Sequence, residues 1–179
     1  MVYKFRILSD EDKEFARELL ISSEDSFLDF HHCLQEDLAY DPKQLASFFI
    51  TNSAWEKQIQ ITLIDMMDEE DSNVITMDVA RLSEYIKDLN QRLLYVYDFF
   101  SERSFFIELT ETIPISGKRP DPKIVYSTGN PPIQIDLDLT NLGVPEDTFM
   151  DDDAGDGLYD DDDEFENLDF IDTDDLSDE

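Results

Sequence analysis

The chain has 179 residues, a formal net charge of −32 and an apolar fraction of 41%. This charge opposes binding to a nucleic-acid backbone, which relies on Lys and Arg displacing condensed counterions, and it disfavours an anionic membrane. The longest unbroken apolar run is five residues (93–97), against roughly 20 needed to cross a bilayer, and the charged start at Lys4 and Arg6 does not read as a secretory leader.

Half of the net charge lies in residues 151–179, which hold 16 Asp or Glu and no Lys or Arg. Neighbouring like charges sit well inside the roughly 8 Å Debye length of physiological salt, so they repel and resist compaction. Residues 1–150 carry 13 basic and 29 acidic side chains, and this length is usual for one domain. The expected division is a folded domain over residues 1–140 and an acidic, flexible tail over 141–179. A single cysteine, Cys33, cannot form an internal disulfide. With the unleadered start, it points to a cytoplasmic protein.

Residues 2–8 predict a strand, because Tyr3, Phe5 and Ile7 alternate with Lys4 and Arg6. Residues 9–20 are ambiguous. They contain good helix formers, a Ser9/Asp12 capping spacing and Phe15/Leu19 at i, i+4, which read locally as helix. Phe15, Arg17, Leu19 and Ile21 can also share one face of a strand. Residues 26–38 are the clearest helix, with Ser26 as N-cap and Asp29 three residues on. Phe27, Phe30, His31, Leu34 and Leu38 fall on one apolar stripe, and Asp41-Pro42 is expected to end the helix.

Strands are expected over residues 45–50 and around Ile59, Ile61 and Leu63, with Trp55 in the connection between them. Residues 65–73 read as an acidic loop. A short helix is expected within 76–86, with Val79, Leu82 and Ile86 inward. Residues 91–98 and 104–110 predict a β-hairpin joined through 99–103. The prolines and glycines of 113–130 predict a loop. Strict alternation of Ile133, Ile135, Leu137 and Leu139 with polar residues predicts a late edge strand. Mostly strands with one good helix make an α+β domain.

Several motifs carry a resemblance. Leu28-Asp29-Phe30-His31, Ala39-Tyr40-Asp41 and Phe48-Phe49-Ile50 resemble a helix, turn and strand pattern of the plasmid pRi open-reading-frame-three-like family, some of whose members are labelled passenger proteins of insertion elements. Tyr95-Val96-Tyr97-Asp98-Phe99 is similar to its later hairpin, although the family's turn glycine and tryptophan are absent here. The resemblance spans about residues 1–140. It implies a mostly antiparallel or mixed sheet packed on the one main helix, with residues 13–21 a strand hairpinned to 2–8. It implies no biochemistry. A resolvase label borne by some relatives is not supported, since no serine sits on a basic, DNA-gripping scaffold.

No cofactor motif is present: there is no phosphate loop, GxGxxG, GxSxG or HExxH. His31-His32-Cys33 point 100° apart on a helix, whereas metal pairs need i, i+3 or i, i+4 spacing. Carboxylates at Asp29, Glu36 and Asp37 would raise the Cys33 pKa and make it a poor nucleophile. A calcium-loop register starting at Asp152 places Asp156 at position 5 and Gly157 at position 6, but it has Ala154 at position 3 and Asp163 where position 12 needs a bidentate Glu. With 45 acids in the chain, paired carboxylates arise by chance, and Asp98 and Glu108 are the least arbitrary. His31, Trp55, Asp98 and Glu108 are the candidate pocket residues.

Phe105 and Phe106 are adjacent, so on a strand they face opposite sides. Either both faces of the sheet are covered, or one offers an aromatic patch to a partner. In the tail, Phe165, Leu168, Phe170 and Ile171 interrupt the acids. They fit a solvated tail, docking on the chain's own domain, or a motif for a basic protein partner. The favoured expectation is a non-catalytic protein–protein interaction module with no cofactor, no metal and no direct nucleic-acid contact. A small-ligand or enzymatic domain and a nucleic-acid-mimicking acidic protein are the alternatives. Nothing in the residues sets an oligomeric state.

Overall fold

The structure, a computed structural model, describes residues 1–65 and 74–134. The described residues fall within the unit Met1–Leu137. They build an eight-stranded sheet from β1 (Val2–Leu8), β2 (Ala16–Ser22), β3 (Ser47–Thr51), β4 (Lys57–Thr62), β5 (Ile75–Thr76), β6 (Arg92–Asp98), β7 (Arg103–Ile113) and β8 (Lys123–Thr128). The spatial order is β5-β4-β3-β6-β7-β1-β2-β8. Every pairing is antiparallel except β4 with β5. Two helices accompany it, α1 (Phe27–Leu38) and the single turn α2 (Leu82–Tyr85).

Local propensity loses at residues 9–22. β2 pairs with β1 in continuous register, Val2 opposite Ser22 through Leu8 opposite Ala16. Leu19 and Ile21 are thereby buried beside Phe5 and Tyr3. Helix propensities differ by only a few tenths of a kcal/mol per residue, less than burial of two large side chains returns.

α1 begins as its sequence dictates. The Ser26 hydroxyl accepts from the Asp29 N–H, and the Asp29 carboxylate accepts from the Ser26 N–H at 2.8 Å. It ends at Leu38, as the sequence predicts, three residues before Asp41-Pro42. Ala39 adopts a left-handed φ of 54°, and the Tyr40 N–H returns to the Gln35 carbonyl. Phe27 and Phe30 lie against Phe48, and Phe30 against Phe5, with ring centroids 5.0–5.2 Å apart. The sheet nevertheless dominates. A 12-residue helix spans about 18 Å, too little to cover eight strands. At its margin Ile59, on the helix-facing side of β4, is 39% exposed. The expectation of a sheet packed on one main helix is thus corrected to a mixed sheet with few helices.

Three other expectations change. The short helix shrinks to α2, and Val79 is 64% exposed. Its segment instead caps α1, the Ala80 and Met77 carbonyls accepting from the Phe27 and Leu28 N–H groups that a helix start leaves unpaired. The proline-rich stretch contains strand β8, paired to β2. The hairpin connection is residues 99–102, turning at Glu102 with φ 54°. The acidic loop beyond Asp65, the late strand beyond Gln134, the Asp152 register and Phe165, Leu168, Phe170 and Ile171 lie outside the described residues.

Candidate functional site

The sheet has two unlike faces. Tyr3, Phe5 and Ile7 of β1 lie on the α1 side with Leu19, Phe48, Tyr95, Phe105 and Ile107, all buried. The alternate residues form the second face. Register sets them in rows. One row runs Phe49–Leu94–Phe106–Leu8–Ala16, and its neighbour runs Arg92–Glu108–Arg6–Glu18–Tyr126. The first is apolar, and Leu8 is 42% exposed. The second is a run of alternating charges closed by an aromatic ring.

Trp55 crowns this face. It sits in the β3–β4 turn with φ 65°, a conformation that costs a bulky residue energy and marks a position held by its surroundings. The Asn52 side chain supplies the hold, its Oδ1 accepting from the Ala54 and Glu56 N–H groups at 2.8 and 3.0 Å. The indole meets Phe106 edge-on at 5.0 Å, and the Arg92 guanidinium lies 4.9 Å from its centre. Arg92 also reaches Glu108 at 3.4 Å and the Ser53 carbonyl. Lys57 lies over Phe49. Glu18 receives Lys4 at 2.9 Å and Arg6 at 3.1 Å, and these pairings hold its carboxyl below the usual range. Beyond them a groove of about 570 Å³ is lined by Arg6, Leu8, Ala16, Glu18 and Tyr126.

The helix-facing side holds a separate polar cluster. The Tyr95 hydroxyl lies 2.7 Å from His31 Nδ1 and accepts from Gln35 Nε2 at 2.5 Å. Burial pushes the His31 pKa down to about 4, with His32 adding to the effect. Burial likewise holds the Tyr95 hydroxyl well above its ordinary value. Among the described residues, Gln35 Oε1 is buried without a hydrogen-bond partner. A cleft of about 210 Å³ adjoins it, lined by His32, Gln35, Glu36, Tyr40 and Pro42.

The four pocket candidates therefore do not converge. Trp55 and Glu108 share Arg92 on the second face, whereas His31 lies on the opposite side. Asp98 caps the β6–β7 turn, accepting from the Phe100 and Ser101 N–H groups. Beside it Arg103 forks onto Glu11 at 2.8 and 2.6 Å, and the Tyr97 hydroxyl donates to Glu11 at 2.7 Å. Cys33 is partly covered, and burial pushes its thiol up to about 11, helped by Asp37 and Glu36.

Sequence reasoning missed Arg92, Arg6, Glu18 and Tyr126 because their grouping depends on cross-strand register. Gln35 had a signal, since it lies four residues after His31 on the same helix face.

The likeness to a solved structure shows the fold alone. The structure resembles a crystal structure of a protein of unknown function from Methanosarcina mazei Go1, with a TM-score of 0.56, 20% identity, and coverage of 70% of this chain and 68% of that one. No curated protein matches the sequence. The family model described as plasmid pRiA4b ORF-3-like protein matches residues 1–134, and the chain belongs to that family.

Proposed function

We propose that this protein is a non-catalytic interaction module whose contact surface is the second face of the sheet. The observation that carries this reading is the ledge of Trp55 on Phe106 beneath Arg92. Tryptophan, aromatic residues and arginine dominate the energetic centres of protein interfaces. A strained turn that presents the chain's single tryptophan on this face fits a binding role. In this reading the folded part, residues 1–140, is the platform. The acidic segment 141–179, with Phe165, Leu168, Phe170 and Ile171, is an arm for a basic protein partner in the cytoplasm.

Photo-crosslinking from position 55 or 106, with position 79 as a control on an exposed turn, tests the platform. The expected result is a common crosslinked protein from 55 and 106, absent from 79. Equal capture from all three positions would remove the ledge as a contact surface.

A second reading, small-ligand binding, draws on the buried Gln35 carbonyl beside its cleft. A buried acceptor left unpaired costs about 1–3 kcal/mol, and a ligand N–H or O–H would recover it. A screen of small amines and amides by thermal shift, repeated on Gln35→Met, tests it. Stabilisation that persists in the variant would place any binding elsewhere.

A further inference from the structure

The two edges of the sheet are unlike. At one end β5 has two residues, Ile75 and Thr76, and runs parallel to β4. So short an edge is a poor template for another strand. At the other end β8 has six residues, with Val125 45% and Tyr126 52% exposed. Among the described residues no strand lies beyond it. A bulge opposite Glu18 and Leu19 leaves Val125 as the extra residue and twists the strand. The open groove lined by Arg6, Leu8, Ala16, Glu18 and Tyr126 lies directly inside this edge.

Charge says what fits. Residues 113–134 carry Lys118, Arg119 and Lys123 against a single acid, Asp121, in a chain whose net charge is −32. Arg119, half exposed, is already paired with Asp25 and Asp29. Lys118 and Lys123 are exposed at the approach to β8, and β8 itself contains no acid.

We propose that β8 receives an extended, acidic segment of a partner protein as a ninth strand. Main-chain hydrogen bonds along the edge would give the affinity. Alternate apolar side chains would rest on Tyr126 and in the groove, with acidic ones meeting Lys118 and Lys123. This surface is distinct from the Trp55 ledge, and neither requires the other.

The test titrates the full chain with a blocked octapeptide of alternating glutamate and valine, followed through the backbone amide resonances. Saturable shifts are expected at Ile124, Tyr126 and Thr128 and at Arg6 and Glu18, with none at Trp55. A peptide with lysine for glutamate should bind about tenfold more weakly or less. Two further peptides are N-methylated on alternate amides. Only one set of amides can face β8, so one peptide should lose binding and the other keep it. Equal binding of both methylated peptides would overturn strand addition. Equal binding of the lysine peptide would overturn the acidic preference, and absence of shifts at β8 would overturn the site. Shifts confined to Trp55 and Phe106 would leave the ledge standing while removing this proposal.

Discussion

Arg17 of β2 donates through Nε to the Asp37 carboxylate of α1 at 2.6 Å. Its Nη1 also reaches the carbonyls of Thr128 at 2.6 Å and Gly129 at 3.3 Å. One buried guanidinium thus ties a strand, the main helix and the end of β8 together. Arg17→Ala should destabilise the fold by about 2–3 kcal/mol, because it strands Asp37 and two carbonyls together. Urea unfolding monitored by far-UV circular dichroism measures this. A loss below about 0.5 kcal/mol would assign the contact to ordinary surface pairing.

His31 sets an acid limit. Its folded pKa of about 4 lies below the ordinary 6.5, so the unfolded chain takes the proton first as pH falls. The stabilisation is complete above about pH 6.5 and declines between there and about pH 4, by roughly 3 kcal/mol at most. His31→Gln should flatten the dependence of unfolding free energy on pH in that window. An unchanged slope would show that His31 protonates freely in the folded protein.

Gly129 has φ 65°, and a Cβ there would come within 2.6–2.7 Å of the Glu14 and Phe15 backbone. This contact is with backbone, which cannot yield cheaply. Gly129→Ala should therefore lower stability by more than about 1 kcal/mol. The companion change Gly117→Ala meets nothing within 4 Å, although its φ of 125° still carries strain. The larger midpoint shift in thermal unfolding belongs to position 129.

Cys33, with its thiol raised to about 11, should alkylate slowly. Iodoacetamide reacts with the thiolate, so at pH 8 the native protein should be modified at least about tenfold more slowly than the urea-unfolded chain. Mass spectrometry across a pH series measures the ratio. Equal rates would place the thiol in an open, unperturbed setting.

What could be read from the sequence follows the range of the interactions concerned. The alternation in β1 and the Ser26/Asp29 cap lie within a few residues, and both were legible. Residues 16–22 were not decidable locally, because Leu19 and Ile21 become buried only after β1 pairs with them. The family resemblance supplied that strand. β8 hid behind Pro120 and Pro122, since proline marks irregular backbone but says nothing about a strand beginning at the next residue. The second face escaped for a related reason. Arg92, Glu108, Arg6 and Glu18 come from four separate strands, and only register places them in one row. The adjacency of Phe105 and Phe106 did carry a signal, since it required an aromatic ring on each face.

The strand order has a consequence during synthesis. Among the described strands β1 is translated before the others, yet Val2 must wait for Ile113 before its second edge is paired, and β2 must wait for residues 123–128. Until then two early strands stand as an incomplete ribbon, a form marginally stable in water. Closure is therefore a late, long-range event, of the kind that makes folding slow and leaves strand edges open to wrong pairing.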